Sequence, residues 1–158
     1  MLMSPKRQRN SPVAIIIHCS ATPFEKDFTI EQIRQMHLQR GFTDIGYHIY
    51  IRKDGTICIG RKFEQIGAHC LGWNDRSIGI CYEGGLLNGK PSDTRTPQQR
   101  ISIEKAIRYC LTKYPLIKNV YGHNQFANKA CPCFDAEAAY SYLVKNSNSI
   151  FNPYTHGK

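Results

Sequence analysis

Short β-branched runs and helix-period segments alternate along this chain. The run PVAIIIH at residues 12–18 follows a proline with unbroken apolar residues and predicts a buried strand ending at His18. TIEQIRQMHLQRG, residues 29–41, has Thr29 as a helix cap with Gln32 three residues on. Apolar Ile30, Ile33, Met36 and Leu38 follow along it and Gly41 stops it, which predicts a capped helix. In YHIYIRKDGTICIGR, residues 47–61, two alternating runs meet at Asp54-Gly55, the signature of a hairpin. SIGICYEGG, residues 77–85, is a further strand that ends in paired glycines.

The second half repeats the alternation. Thr96, Pro97 and Gln99 form a capping box with proline at the first helical position, and Ile103, Ile107, Cys110 and Leu111 give the helix a core-facing stripe before Pro115. NVYGH, residues 119–123, reads as a short strand, and Asp135 caps a last helix over DAEAAYSYLV. Strands and helices alternating around one hairpin predict an α/β fold, a mixed β-sheet flanked by helices in a single domain. Residues 1–11 form a basic N-terminal arm, 12–145 the domain and 146–158 a polar tail in which His156 is a surface residue.

At 158 residues the chain is long enough to bury roughly two thirds of the surface its unfolded form exposes, so it needs no covalent staples. No apolar stretch approaches the roughly 20 residues that span a bilayer. The apolar run after the basic arm is shorter than the roughly 7–15 residues of a secretory signal, so synthesis without a signal peptide and retention in the cytoplasm are expected. The seven cysteines lack the dense spacing of a secreted scaffold, which predicts free thiols, with Cys58, Cys81 and Cys110 as small buried hydrophobes. A formal charge of +9 favours an anionic partner: nucleic acid, a membrane surface or a wall polymer. Lys and Arg are scattered, with no recognition motif outside the arm, which argues against nucleic acid.

One stretch concentrates chemistry. YGHNQFANKACPCFD, residues 121–135, holds His123, Lys129, Cys131 and Cys133. His18 and His123 both fall where strands end, and sites in open sheets form at strand termini. With Cys131 they make a three-ligand zinc set that leaves a fourth position open. Spacing alone leaves Cys19 and Cys133 as alternative ligands, and a lone histidine at a strand end is more often a hydrogen-bonded structural residue.

IIIHCSATP, GYHIYIRKDGTICIGR, GAHCLGWNDRSIGICYEGG and GHNQFANKACPCFD, in this order, resemble the type 2 N-acetylmuramoyl-L-alanine amidases from about Val13 to about Leu143, with peptidoglycan recognition proteins as more distant relatives. The resemblance implies a mixed sheet with helices packed on it and one catalytic Zn2+ held by His18, His123 and Cys131. It also implies Tyr47 and Lys129 as catalytic residues. Lys129 would stabilise charge developing on the scissile carbonyl oxygen, and Tyr47 would hydrogen-bond near it. Recognition members without catalysis lack the cysteine ligand, so Cys131 implies an enzyme. His69, Trp73 and Asn74, in a glycine-bounded loop, are implied substrate contacts. His48 alternates with Tyr47 and is expected to be structural, and His37 to lie on the surface or in helix packing.

The implied activity is hydrolysis of the amide between the lactyl group of N-acetylmuramic acid and L-alanine, on peptidoglycan or muropeptides. A phage or prophage lysin would act on the cell wall after release, as a monomer. A bacterial enzyme for internalised muropeptides is equally compatible. The competing reading is a non-catalytic peptidoglycan-binding or polymerase-regulating module. A phage member of this family binds RNA polymerase, but no residue here carries that surface over.

Overall fold

The computed structural model describes residues 9–150; most of the basic arm and the end of the tail, with His156, lie outside the described residues. The strands are β1 (Ala14–Cys19), β2 (Thr22–Pro23), β3 (Ile49–Ile51), β4 (Ile57–Ile59), β5 (Ser77–Tyr82), β6 (Gly85–Leu87), β7 (Lys90–Pro91) and β8 (Asn119–Gly122). The helices are α1 (Ile30–Gln39), α2 (Pro97–Lys113) and α3 (Ala136–Ile150), and a single 3-10 turn spans His123–Gln125. The main sheet has the order β4-β3-β5-β1-β8; β3, β5, β1 and β8 run parallel and β4 closes the edge antiparallel. This is the mixed α/β architecture that the alternation of elements predicts. The short β2-β6-β7 sheet is an addition to it, because strands of two or three residues leave no periodicity to read.

Both predicted capping boxes form: Thr29 with Gln32, and Thr96 with Gln99. Asp135 accepts the Ala138 N–H at 3.0 Å, and the Asp54-Gly55 hairpin joins β3 to β4 with Gly55 at φ +91°. The α1 stripe differs from the expectation. Ile33 and His37, one helical turn apart, face inward, while Met36 and Leu38 are 40% and 38% exposed. Cys81 and Cys110 are fully buried as expected, but Cys58 is half-buried because β4 is an edge strand.

Strand alternation gives the sheet two different faces. Ile15, Ile17, Ile49, Ile51, Ile78, Ile80 and Tyr82 point to one side and pack with Ile103, Ile107 and Cys110 of α2 and Tyr140 and Leu143 of α3. Each such side chain contributes about 1.5–3 kcal/mol when removed from water, so this face drives folding. On the other side Tyr50 and Cys81 pack with Ile33 of α1 and Ile45. Glu83, after β5, is the buried carboxylate that pins the loops together: its Oε1 accepts Arg52 Nε and the Lys53 N–H at 2.9 Å each, and its Oε2 the Phe28 N–H at 2.7 Å. Arg9, on the arm side of the expected boundary, donates into the domain, to the carbonyls of Phe63 and of Ser77, the latter at 2.6 Å.

Candidate metal centre and active-site cleft

β1 and β8 are adjacent and parallel, with Ile17 opposite Gly122, so the next residue on each strand is a histidine. His18 is the penultimate residue of β1, and His123 starts the turn that ends β8. Their rings lie 4.6 Å apart. The loop after that turn returns Cys131 to the same place, where its Sγ lies 3.8 Å from His18 Nδ1 and accepts the Cys19 N–H at 3.2 Å. The candidate ligand atoms of His18, His123 and Cys131 all lie within 4.8 Å of one another, and they form the one such group of three or more among the described residues.

The alternatives left open by spacing separate here. Cys19 follows His18 on β1, so its side chain points through to the α2 side, against Cys133, and neither thiol joins the group. The site itself lies on the α1 face of the sheet rather than beyond the strand ends, because His18 is still inside the ladder.

The donor chemistry fits a transition metal such as zinc. Burial, followed by the neighbouring His69, His123 and Lys129, holds the His18 pKa well below its usual 6.5. Burial and then Lys129 lower that of His123. Both rings are therefore neutral imidazoles at pH 7, the form that binds metal. His18 Nδ1 faces Cys131 and its Nε2 lies 2.8 Å from His69 Nδ1, so a metal on Nδ1 would leave the proton on Nε2, where His69 can accept it. His69 Nε2 then faces Ser77 Oγ at 3.3 Å, and Ser77 donates to the Trp73 carbonyl at 2.6 Å. Ligating histidines are commonly oriented through their second nitrogen in this way. Gly79 makes it sterically feasible, since a Cβ there would sit 2.7–2.9 Å from the His69 ring.

The group opens onto a cleft of about 490 Å³ lined by His18, His37, Arg40, Tyr47, His69, Asn74, His123 and Lys129, among others. No carboxylate lines it among the described residues. Tyr47 stands just before β3 with its ring 5.1 Å from that of His18. Burial, reinforced by the Cys81 and Cys131 thiols, raises its pKa well above 10, so its hydroxyl remains protonated and can donate. Lys129 is exposed and also lines the cleft.

The loop after Gly67 carries the three expected substrate contacts, and His69 and Asn74 line the cleft. Both ring nitrogens of His69 face protein partners, His18 and Ser77. Asn74 borders the cleft, but its Oδ1 is engaged by the N–H groups of His69 and Cys70 at 2.7 and 2.8 Å. Trp73 lies outside the cleft, over a separate hollow with Leu116 and Tyr121, its ring 4.8 Å from Phe126 and 3.9 Å from the Arg76 guanidinium. Two basic residues of the cleft, His37 and Arg40, escape sequence reasoning. The i, i+4 relation of His37 to Ile33 is the available signal. His48 is buried and structural as expected, accepting the Gly79 N–H at 3.0 Å.

Comparison with known proteins agrees with this geometry. The family model described as N-acetylmuramoyl-L-alanine amidase matches residues 8–134. The endolysin of Escherichia phage T7 is 40% identical over 130 residues, covering 82% of this chain and 85% of that protein. The endolysin amidase LysCS from Clostridium intestinale superposes with a TM-score of 0.73 at 32% identity, over 90% of this chain and 92% of the other. The Drosophila recognition protein PGRP-LB, solved as a point mutant in complex with tracheal cytotoxin, gives a TM-score of 0.70 at 30% identity, over 87% of this chain and 86% of the other. This chain belongs to the N-acetylmuramoyl-L-alanine amidase family and is a hydrolase of that class.

Proposed function

We propose that the chain is a zinc-dependent lysin that cuts the amide between the lactyl group of N-acetylmuramic acid and L-alanine in peptidoglycan. His18, His123 and Cys131 hold the ion, and Tyr47 and Lys129 act on the substrate. The observation that carries this reading is the convergence of two neutral imidazoles and one thiol, with both imidazoles lining a cleft that Tyr47 and Lys129 also line. Zinc bound there would polarise the scissile carbonyl and bring the pKa of a coordinated water to about 7.

The protein's own groups supply the rest. The Lys129 ammonium meets the negative charge that develops on the carbonyl oxygen, and the protonated Tyr47 hydroxyl donates to the same region and passes a proton toward the leaving amine. His69 keeps the His18 ring in the tautomer that presents Nδ1, which is a positioning role. The cleft, lined by the cations Arg40 and Lys129 and by no carboxylate among the described residues, suits the carboxylates of a stem peptide, and the relative solved with tracheal cytotoxin is consistent with a muropeptide occupant. No helix among the described residues is long and apolar enough to cross a membrane. The enzyme acts on the cell wall as a monomer after release, and the basic arm and polar tail flank the catalytic domain.

The test is mass spectrometry of the products formed from purified peptidoglycan by zinc-loaded protein and by a chelated control. Free stem peptides beginning at L-alanine, formed only with metal, are expected. Binding that leaves glycan and peptide joined would transfer the site to recognition.

A further inference from the structure

Behind the metal group, on the α2 side of the sheet, lies a pair of sulfurs that the reaction does not use. Cys19 Sγ and Cys133 Sγ are 4.0 Å apart. Cys19 is 3% exposed and Cys133 is half-buried. The two are brought together by strand alternation, which turns Cys19 away from His18, and by the backbone at Cys133, whose φ of +71° swings its side chain back toward β1. Gly85 leaves the room: a Cβ there would lie 2.5 Å from Cys19 Sγ, and the Gly85 carbonyl is 3.5 Å from Cys133 Sγ.

The geometry points to Cys19 and Cys133 as a disulfide-forming site, which under oxidising conditions ties the strand that carries His18 to the loop that carries Cys131. Two thiols at this separation need only modest side-chain rotation to reach bonding distance. The oxidant is a small-molecule or protein disulfide. The half-buried Cys133 attacks one of its sulfurs as a thiolate and expels the first thiol, giving a mixed disulfide. Cys19 then attacks the Cys133 sulfur and releases the second thiol. Two protons and two electrons leave the protein, and the oxidant becomes two thiols. Cys131 is not consumed.

The bond would link residues 114 apart in sequence, enclosing nearly the whole domain. Long loops are where a cross-link most restricts the unfolded chain, and here it also restrains opening of the metal group from behind. If the enzyme passes from a reducing cytoplasm to the wall, as the proposed function has it, the bond forms where the protein is exposed to its substrate. The pairing itself does not depend on that reading.

The experiment treats zinc-loaded protein with oxidised glutathione and maps the cysteines by mass spectrometry after alkylation. Because Cys19 is buried and Cys133 half-buried, exchange is run for hours at mildly alkaline pH. The expected result is a loss of about 2 Da located to a peptide joining Cys19 to Cys133, reversed by reductant. The oxidised form should melt at least about 5 °C higher and lose zinc to a chelator several-fold more slowly. Cys133→Ser should abolish these shifts while leaving hydrolysis by the reduced enzyme unchanged. Pairing through Cys131, or no Cys19–Cys133 peptide while the glutathione is consumed elsewhere, would overturn the proposal. So would a mapped bond with no change in melting. None of these readouts requires hydrolysis, so failure here is distinct from failure of the amidase reading.

Discussion

The two faces of the sheet are made from the same strands, yet they are built on different principles. Toward α2 and α3 the strands present isoleucine after isoleucine, with Cys19 and Tyr82 as the main departures in character. Toward α1 the same strands carry His18, Gly79 and Cys81, and the space above them is filled by His37, His48 and His69. The apolar face needs only shape and volume. The polar face needs every group paired, and among the described residues no buried side-chain nitrogen or oxygen is left without a partner. Stability is concentrated on one side and chemistry on the other, so lesions on the two sides should differ in kind.

The largest effect is expected at the cleft. Lys129→Ala should lower kcat about 100- to 1000-fold, the usual result of removing a donor to a developing oxyanion. Because Lys129 is exposed, its melting temperature and zinc content should stay at the parent values. Peptidoglycan turbidity assays with metal analysis of the same sample decide the matter, and hydrolysis at the parent rate would remove Lys129 from the mechanism. The converse lesion lies across the sheet. Ile103→Ala, at a fully buried position of α2, should cost about 2–5 kcal/mol in urea unfolding while the folded fraction keeps its kcat. If that variant instead lost zinc while still folded, the separation of the faces would be wrong.

The same division explains what can be read in the sequence. The stripe Ile103, Ile107, Cys110 and Leu111 and the run before His18 announce themselves by period, because burial against a flat apolar layer leaves a regular pattern. The caps at Thr29, Thr96 and Asp135 are visible because capping is local chemistry. The ligand trio draws its support from a family resemblance: residues 18, 123 and 131 meet only once β1 and β8 are neighbours. Nothing local shows that His69, a substrate contact implied by the resemblance, stacks over Gly79 beside His18. His37 stays hidden because a polar residue on the buried turn of α1 breaks the very pattern used to find that turn, and Arg40 because an exposed basic residue at a helix end reads as surface.

The smallest expected effect is on the dependence of stability on pH, and it too should belong to one face. His37 and His48 are kept neutral chiefly by burial, with Arg40 and Arg61 adding to it at His37 and Arg9 at His48, and their pKa values fall to about 4 and about 3. Each uses Nδ1 to accept a backbone N–H, from Gly46 at 2.8 Å and from Gly79 at 3.0 Å, so a proton there would cost a hydrogen bond as well. The unfolded chain takes up these protons near pH 6.5, whereas the folded chain resists until pH 4 or below. Between those limits the unfolded state binds more protons, and stability falls as pH falls. From pH 7 to 5.5 the loss should be about 2 kcal/mol from this pair, with His18 and His69 adding in the same direction. Urea midpoints of chelated protein across this range measure it. Ile103→Ala should lower the whole curve without changing its slope, whereas His48→Gln should flatten it, because the titrating groups all lie on the α1 side. A slope that Ile103→Ala altered and His48→Gln left intact would place the acid sensitivity in the apolar core, where no group is available to take up the proton.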